Sequence, residues 1–148
     1  MQFKTFAATT TLLLCALPAI SQARDTALYL PFDQVVTEAI STGKIDGSVK
    51  FYLAGNTPAG KVSVISPGAV TNKKTNAFNK SDEQACSWAL QSALITLHDA
   101  AKKVGANAVT NIASFYKRNE RKDPKTYECH AGAVIAGVAL KGDLSKVN

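Results

Sequence analysis

Few side chains in this 148-residue chain can do chemistry. Beyond residue 23 the soft metal ligands are Cys86, Cys129, His98 and His130. None falls in the C-x-x-C or H-x-x-H spacing that lets one turn or strand give two ligands to a zinc ion. Cys129 and His130 are neighbours in an extended stretch, so they point to opposite faces and do not readily chelate together. A thiol-based heavy-metal site would need Cys86 and Cys129 reduced, with His130 as a weaker further candidate; a disulfide between the cysteines removes both thiolates. No serine has the flanking glycines of a nucleophile elbow, and the two histidines sit on different elements with no obvious carboxylate relay. His98, beside Asp99, reads as a solvated or hydrogen-bonded surface residue on a helix flank. No catalytic set emerges, and the expectation is a protein that is not an enzyme and needs no cofactor.

Two further motifs carry charge. Gly55-Asn56-Thr57-Pro58-Ala59-Gly60-Lys61 has the G-x-x-x-x-G-K spacing of a phosphate loop. The next residue is Val62, which has no hydroxyl for magnesium, and residues 61–66 alternate like a strand. A phosphate loop needs a helix there, so that amide N–H groups and the helix dipole face the phosphates. The motif therefore reads as a Gly-Pro turn, and a DNA-repair ATPase is rejected. The second motif is the stretch 116–127, in which Lys117, Arg118, Arg121, Lys122 and Lys125 lie near Tyr116 and Tyr127. Such a cluster can dock the phosphates of lipid A, phospholipid or nucleic acid. Its bland alternative is a solvated turn, partly neutralised by Glu120 and Asp123, with Asp123-Pro124 as ordinary turn chemistry.

The elements that must position these residues follow from periodicity. Ser81, with Gln84 three residues later, has the form of a capping box, and Asp82 and Glu83 suit the positive end of a helix. Cys86, Leu90, Ala93, Leu97, Ala101 and Val104 recur at helical spacing, widened by Ala89, Leu94 and Ala100. Gln84, Gln91, His98 and Lys102 fall on another side, and Gly105 is placed to stop the helix. Residues 107–117 and 126–141 read as paired strands around the tip 118–125. Tyr127, Cys129, Ala131, Ala133 and Ile135 share one face of the second, so Cys86 and Cys129 can meet. Upstream, 27–32 reads as a strand and Asp33 can cap a helix through about residue 42. Residues 48–54 and 61–66 read as a hairpin around 55–60, and 68–78 as a polar loop with a short strand near 69–71. The expectation is a single α+β domain over 24–148, in β-α-β-β-α-β-β order. Two helices lie on one antiparallel sheet, with a disulfide from the long helix to the last hairpin.

Export is the clearest inference. Lys4 supplies a basic start, 6–20 is an apolar run broken by Pro18, and Ser21-Gln22-Ala23 offers small residues before a cut after Ala23. The apolar run is too short to favour a membrane anchor, and no later stretch of the sequence could span a bilayer as a helix. Leu14 precedes Cys15 where a lipoprotein signal would want a small residue. Removing 1–23 takes Cys15 and leaves an even pair of cysteines, which an oxidising compartment would join. The remaining chain keeps all 11 acidic residues and loses only Lys4 from the 17 basic ones. A modest positive charge permits anionic partners without requiring them.

The run Cys86…Leu97…Gly105-Ala106-Asn107-Ala108-Val109, followed by Cys129 and Gly137-Val138-Ala139-Leu140, resembles the periplasmic domain of the outer-membrane stress-sensor lipoprotein of the Rcs phosphorelay. It is also similar to related small proteins that carry a heavy-metal-binding label. Over its whole exported length the chain resembles small exported proteobacterial proteins, some of them named excinuclease ATPase subunits. The resemblance over 86–140 implies an α+β domain with a helix-to-hairpin disulfide, matching Cys86–Cys129, and an interaction role in the envelope. Two departures matter. Ile135 stands where the sensor has a cysteine of a second disulfide, and the lipid-anchor signal is absent. The functional expectation is a periplasmic or secreted, non-enzymatic envelope binding module with a stress-related role, whose partner is an envelope protein or anionic component. The stretch 117–125 and the 55–60 turn are its candidate surfaces, and no specific nucleic acid is expected.

Overall fold

The structure is a computed structural model and describes residues 23–148. The expected export signal, apart from Ala23, lies outside them, Cys15 included. Among the described residues, two α-helices and six strands form an α+β domain.

β1 (Thr26–Pro31) runs directly into α1 (Phe32–Ser41). Asp33 does not cap this helix. Pro31 holds the N-cap position at φ −59° with no side-chain bond, and Asp33 lies in the first turn. A side-chain cap is dispensable because the Phe32 N–H is taken by the Lys125 carbonyl at 3.0 Å.

α2 (Asp82–Lys103) begins where expected. The Ser81 hydroxyl accepts from the Gln84 N–H at 3.1 Å, and Gly105 at φ +75° completes the C-terminal turn. Cys86, Ala89, Leu90, Ala93, Leu94, Leu97 and Ala101 are buried. Gln91 and His98, expected on an outer side, are buried too. The segment after α1 packs along that flank: Lys44 donates to the Gln91 amide oxygen, and His98 Nε2 lies 2.9 Å from Asp46 Oδ1. Val104, expected in the core, is half-exposed just past the helix end.

The sheet order is β1-β5-β6-β4-β2, with β3 along the remaining edge of β6. The strands are β2 (Lys50–Leu53), β3 (Val62–Asn76), β4 (Ala108–Ser114), β5 (Thr126–Ala131) and β6 (Ile135–Val147). β2 pairs β4 in parallel, so the sheet is mixed. Three expected pairings change. The strands flanking 55–60 are not a hairpin, because β2 joins β4 while β3 joins β6. The expected strand 126–141 breaks at 132–134, where the Gly132 N–H bonds the Ile135 carbonyl at 2.8 Å, and β5 and β6 form the real hairpin. β4 pairs β6 well past that break, from Ser145 to Leu140, and meets the basic stretch through a bridge between Ser114 and Arg121. The expected loop 68–78 is mostly strand, since β3 follows β6 as far as the pair Asn76 and Ile135. Its asparagines and lysines suit an edge, whose outer side faces water.

Both helices lie on one side of the sheet and share a single core with Tyr127, Cys129, Ala131, Ala136, Val138, Leu140, Val109 and Ile112. The alanines let α2 approach closely. Cys86 and Cys129 form a disulfide, Cα to Cα 5.8 Å, that pins α2 to β5. It closes a loop with a sequence separation of 43, worth about 4 kcal/mol in the chain-entropy model. No helix among the described residues is long and apolar enough to cross a membrane.

Candidate functional site

Strand alternation puts a second set of side chains on the face away from the helices. Leu28 and Leu30 of β1 turn inward, so Tyr29 turns out, paired with Glu128 of β5. Tyr127 and Cys129 turn inward, so His130 turns out with Glu128. On β6 the outward residues include Gly137 and Lys141; across from them on β3 stand Lys74 and Val70. Lys74 passes over Gly137, where an added Cβ would meet its Cγ at 3.5 Å.

The basic stretch does not project as a hairpin tip. It folds back onto this face. The Phe115 N–H bonds the Ala139 carbonyl at 2.9 Å, and a short 3₁₀ turn, Tyr116–Arg118, follows. Lys117 and Arg118 adopt φ 50° and 64°, the left-handed region that costs a side chain about 1–2 kcal/mol per residue. The turn brings cations over rings. Lys117 Nζ lies 5.2 Å from the Tyr116 ring centre and Arg118 Cζ 5.9 Å from that of Phe115. Lys141 Nζ reaches the Phe115 ring at 5.3 Å, and Arg121 Cζ sits 4.2 Å from the Tyr29 ring centre. Each pair keeps a positive charge beside an aromatic surface.

At the centre, Tyr116 stacks on His130 with ring centres 3.3 Å apart and planes 10° apart. His130 Nδ1 lies 2.9 Å from Asp25 Oδ1 and its Nε2 2.6 Å from Glu128 Oε1. The Tyr116 hydroxyl donates to Asp25 Oδ2 at 3.0 Å. The hydrogen bond from His130, with a smaller contribution from Tyr116, holds the Asp25 carboxyl below its ordinary range. Burial and the adjacent Asp25 push the Tyr116 phenol up. Both ring nitrogens of His130 lie within hydrogen-bonding distance of a carboxylate, which fixes the ring's orientation. The cluster holds the ring platform in place. Beside it lies an open cleft of about 380 Å³, bordered by Lys74, Tyr116, His130, Val134 and Ile135. One wall is fixed by Arg24, which forks onto Asp82 at 2.8 and 2.9 Å and donates to the Gly132 carbonyl at 2.8 Å. That fork lowers the Asp82 carboxyl and raises the Arg24 guanidinium.

Of the residues singled out in the sequence, Tyr116, Lys117, Arg118 and Arg121 come together here, and Lys122 and Lys125 stand exposed nearby. Arg121 is also tied to Asp123 at 3.5 Å, and Asp123 is held low chiefly by the Lys125 and Thr126 amides. Tyr127 does not belong to the surface. It is 1 % exposed, because its place in β5 shares the inward face of Cys129. Cys86 and Cys129 are fully buried and joined, so neither is a thiolate ligand in this state. Among the described residues no group of three or more His, Cys, Asp or Glu side chains is placed to hold a metal ion. The 55–60 turn packs on the basic stretch through Asn56, whose amide donates to the Pro124 carbonyl at 2.9 Å. Lys61 exchanges backbone bonds of 3.1 Å with Asn148, and the strand β3 follows it instead of a helix.

Tyr29, Phe115, Lys74 and Lys141 went unrecognised as site residues in the sequence, and His130 entered only as a weak metal-ligand candidate. The signal for Tyr29 was present, as the polar-tipped ring between Leu28 and Leu30. The others depend on which strands pair. Comparison with family models, with curated proteins and with solved structures finds no match.

Proposed function

We propose that the protein is an exported, non-enzymatic binding module of a Gram-negative periplasm whose helix-free sheet face takes an anionic component of the envelope. The observation that carries this reading is the row of rings at Tyr29, Tyr116 and Phe115, each with a cation over it. Rings so placed offer apolar contact area while the cations above them meet phosphate oxygens. Lys117 and Arg118 are exposed, and the strained turn that holds them there is the kind of backbone cost found at binding sites. The pattern of residues 1–23 and the disulfide both support export. The heavy-metal alternative has less support, since an ion would have to reach two buried sulfurs and find them reduced.

Sedimentation with lipid vesicles tests the reading. The protein should pellet with vesicles containing phosphatidylglycerol and remain in solution with pure phosphatidylcholine. High salt and the double variant Lys117→Glu, Arg118→Glu should each release it. Equal binding to both vesicle types, or binding indifferent to salt, would contradict it, as would preference for single-stranded nucleic acid over anionic lipid.

A further inference from the structure

On the helix side of the sheet, a crevice of about 230 Å³ opens between the two helices and the end of β5. The charged side chains that line it are Glu38 of α1 and Glu83 of α2, with Gln34 and Ser87 beside them. Tyr127 forms part of its wall. That phenol is 1 % exposed, and its hydroxyl has no hydrogen-bond partner among the described residues. A buried hydroxyl without a partner is uncommon in folded proteins and calls for a reason. Burial, with the nearby negative charge of Glu38 as the smaller cause, raises the phenol's pKa. The hydroxyl therefore stays protonated, able both to donate and to accept.

One carboxylate is already aimed. Ser87 Oγ donates to Glu38 Oε2 at 3.2 Å, Gln91 Nε2 donates to Ser87 Oγ at 3.0 Å, and Lys44 holds the Gln91 oxygen from behind. No protein group among the described residues donates to the other oxygen of Glu38 or to Glu83. Leu30, Pro31 and Val35 supply an apolar wall. Two carboxylates and a phenol oxygen suit the three N–H donors of an ammonium group, and the apolar wall suits a short alkyl stem. Among the described residues no group of three or more His, Cys, Asp or Glu side chains is placed to hold a metal ion, so a cation held by hydrogen bonds suits this pair of carboxylates better than a coordinated one. The volume is below the roughly 300–1,000 Å³ of drug-sized pockets, so the occupant is small.

We propose that this crevice binds a small primary alkylammonium ion between Glu38 and Glu83, with the Tyr127 hydroxyl at its inner end. The site is independent of the sheet face on the other side. Its test is titration of the ¹⁵N-labelled, disulfide-bonded protein with n-butylammonium chloride, followed by amide NMR, with n-butanol as the uncharged control. Saturable shifts at Glu38, Glu83 and Ser87 are expected with the amine and not with the alcohol. The double variant Glu38→Gln, Glu83→Gln should weaken binding about tenfold or more. Tyr127→Phe should weaken it several-fold while leaving the melting temperature unchanged or raised, because it removes an unpaired hydroxyl. Absence of saturable shifts, equal shifts with n-butanol, or unchanged affinity in either variant would overturn the proposal.

Discussion

On the helix-free face of the sheet, Lys117, Arg118, Arg121 and Lys141 lie over rings. On the helix side, Glu38 and Glu83 line a crevice with no cation among its walls. The net charge of +6 hides this division. One strand serves both sides, since β5 sends His130 out to the ring platform and Tyr127 in to the crevice. The difference lies in how the polar groups are satisfied. His130 has a carboxylate at each nitrogen and a ring above it, while the Tyr127 hydroxyl has no hydrogen-bond partner among the described residues. A fully bonded cluster rigidifies a surface, whereas a buried hydroxyl without a protein partner calls for a reason.

The largest break in this comparison removes the link between the two sides. Cys86→Ser with Cys129→Ser frees α2 from β5 and should cost about 4 kcal/mol, read as the loss of urea-unfolding free energy. Next in size, Lys117→Glu with Arg118→Glu should weaken binding to anionic vesicles roughly a hundredfold, and leave n-butylammonium binding untouched. Loss of both activities together would mean that the two sides are not separate sites. Tyr116→Phe removes one donor from Asp25 and should cost about 1 kcal/mol, with His130 ring resonances shifting because its stacking partner is less firmly held.

The smallest effect is the dependence on acid. Asp25, Asp46, Asp82 and Asp123 are all held below their ordinary range in the fold, by His130, by Ser48 and His98, by Arg24, and by backbone amides respectively. Their unfolded forms protonate first as pH falls. Their stabilisation is therefore present above pH ~4 and is lost as pH drops through the folded values. Urea midpoints measured from neutral pH downward should fall below that point, and Asp123→Asn should flatten the fall.

Local signals in the sequence were reliable because their causes are local. The Ser81 cap, the apolar stripe of α2, the stop at Gly105 and the inward phase of Tyr127, Cys129 and Ala131 all appear as the residues dictate. The disulfide followed from two of these. What the sequence hid was pairing between distant strands. Residues 126–141 alternate without a strong turn signal, so the break at Gly132 was invisible until the β5–β6 register placed Ala131 opposite Ala136. The fold-back of Phe115–Arg118 rests on two left-handed residues that carry no glycine to announce them. Gln91 and His98 fall off the apolar stripe of α2, and their burial was hidden because their partners, Lys44 and Asp46, come from a segment about fifty residues away. Tyr127 was grouped with the basic stretch by nearness along the chain, when its phase already pointed it inward.

The most direct test of the central claim is to see which face responds to an anionic lipid. Amide shifts of the ¹⁵N-labelled protein should be followed on adding short-chain phosphatidylglycerol below its micelle concentration, with phosphatidylcholine of the same chain length as reference. Shifts should be confined to the neighbourhood of Tyr29, Phe115, Tyr116, His130 and Lys141, with the amides of Glu38, Glu83 and Ser87 unmoved. Shifts centred on the helix side, or the same response to the zwitterionic lipid, would contradict it.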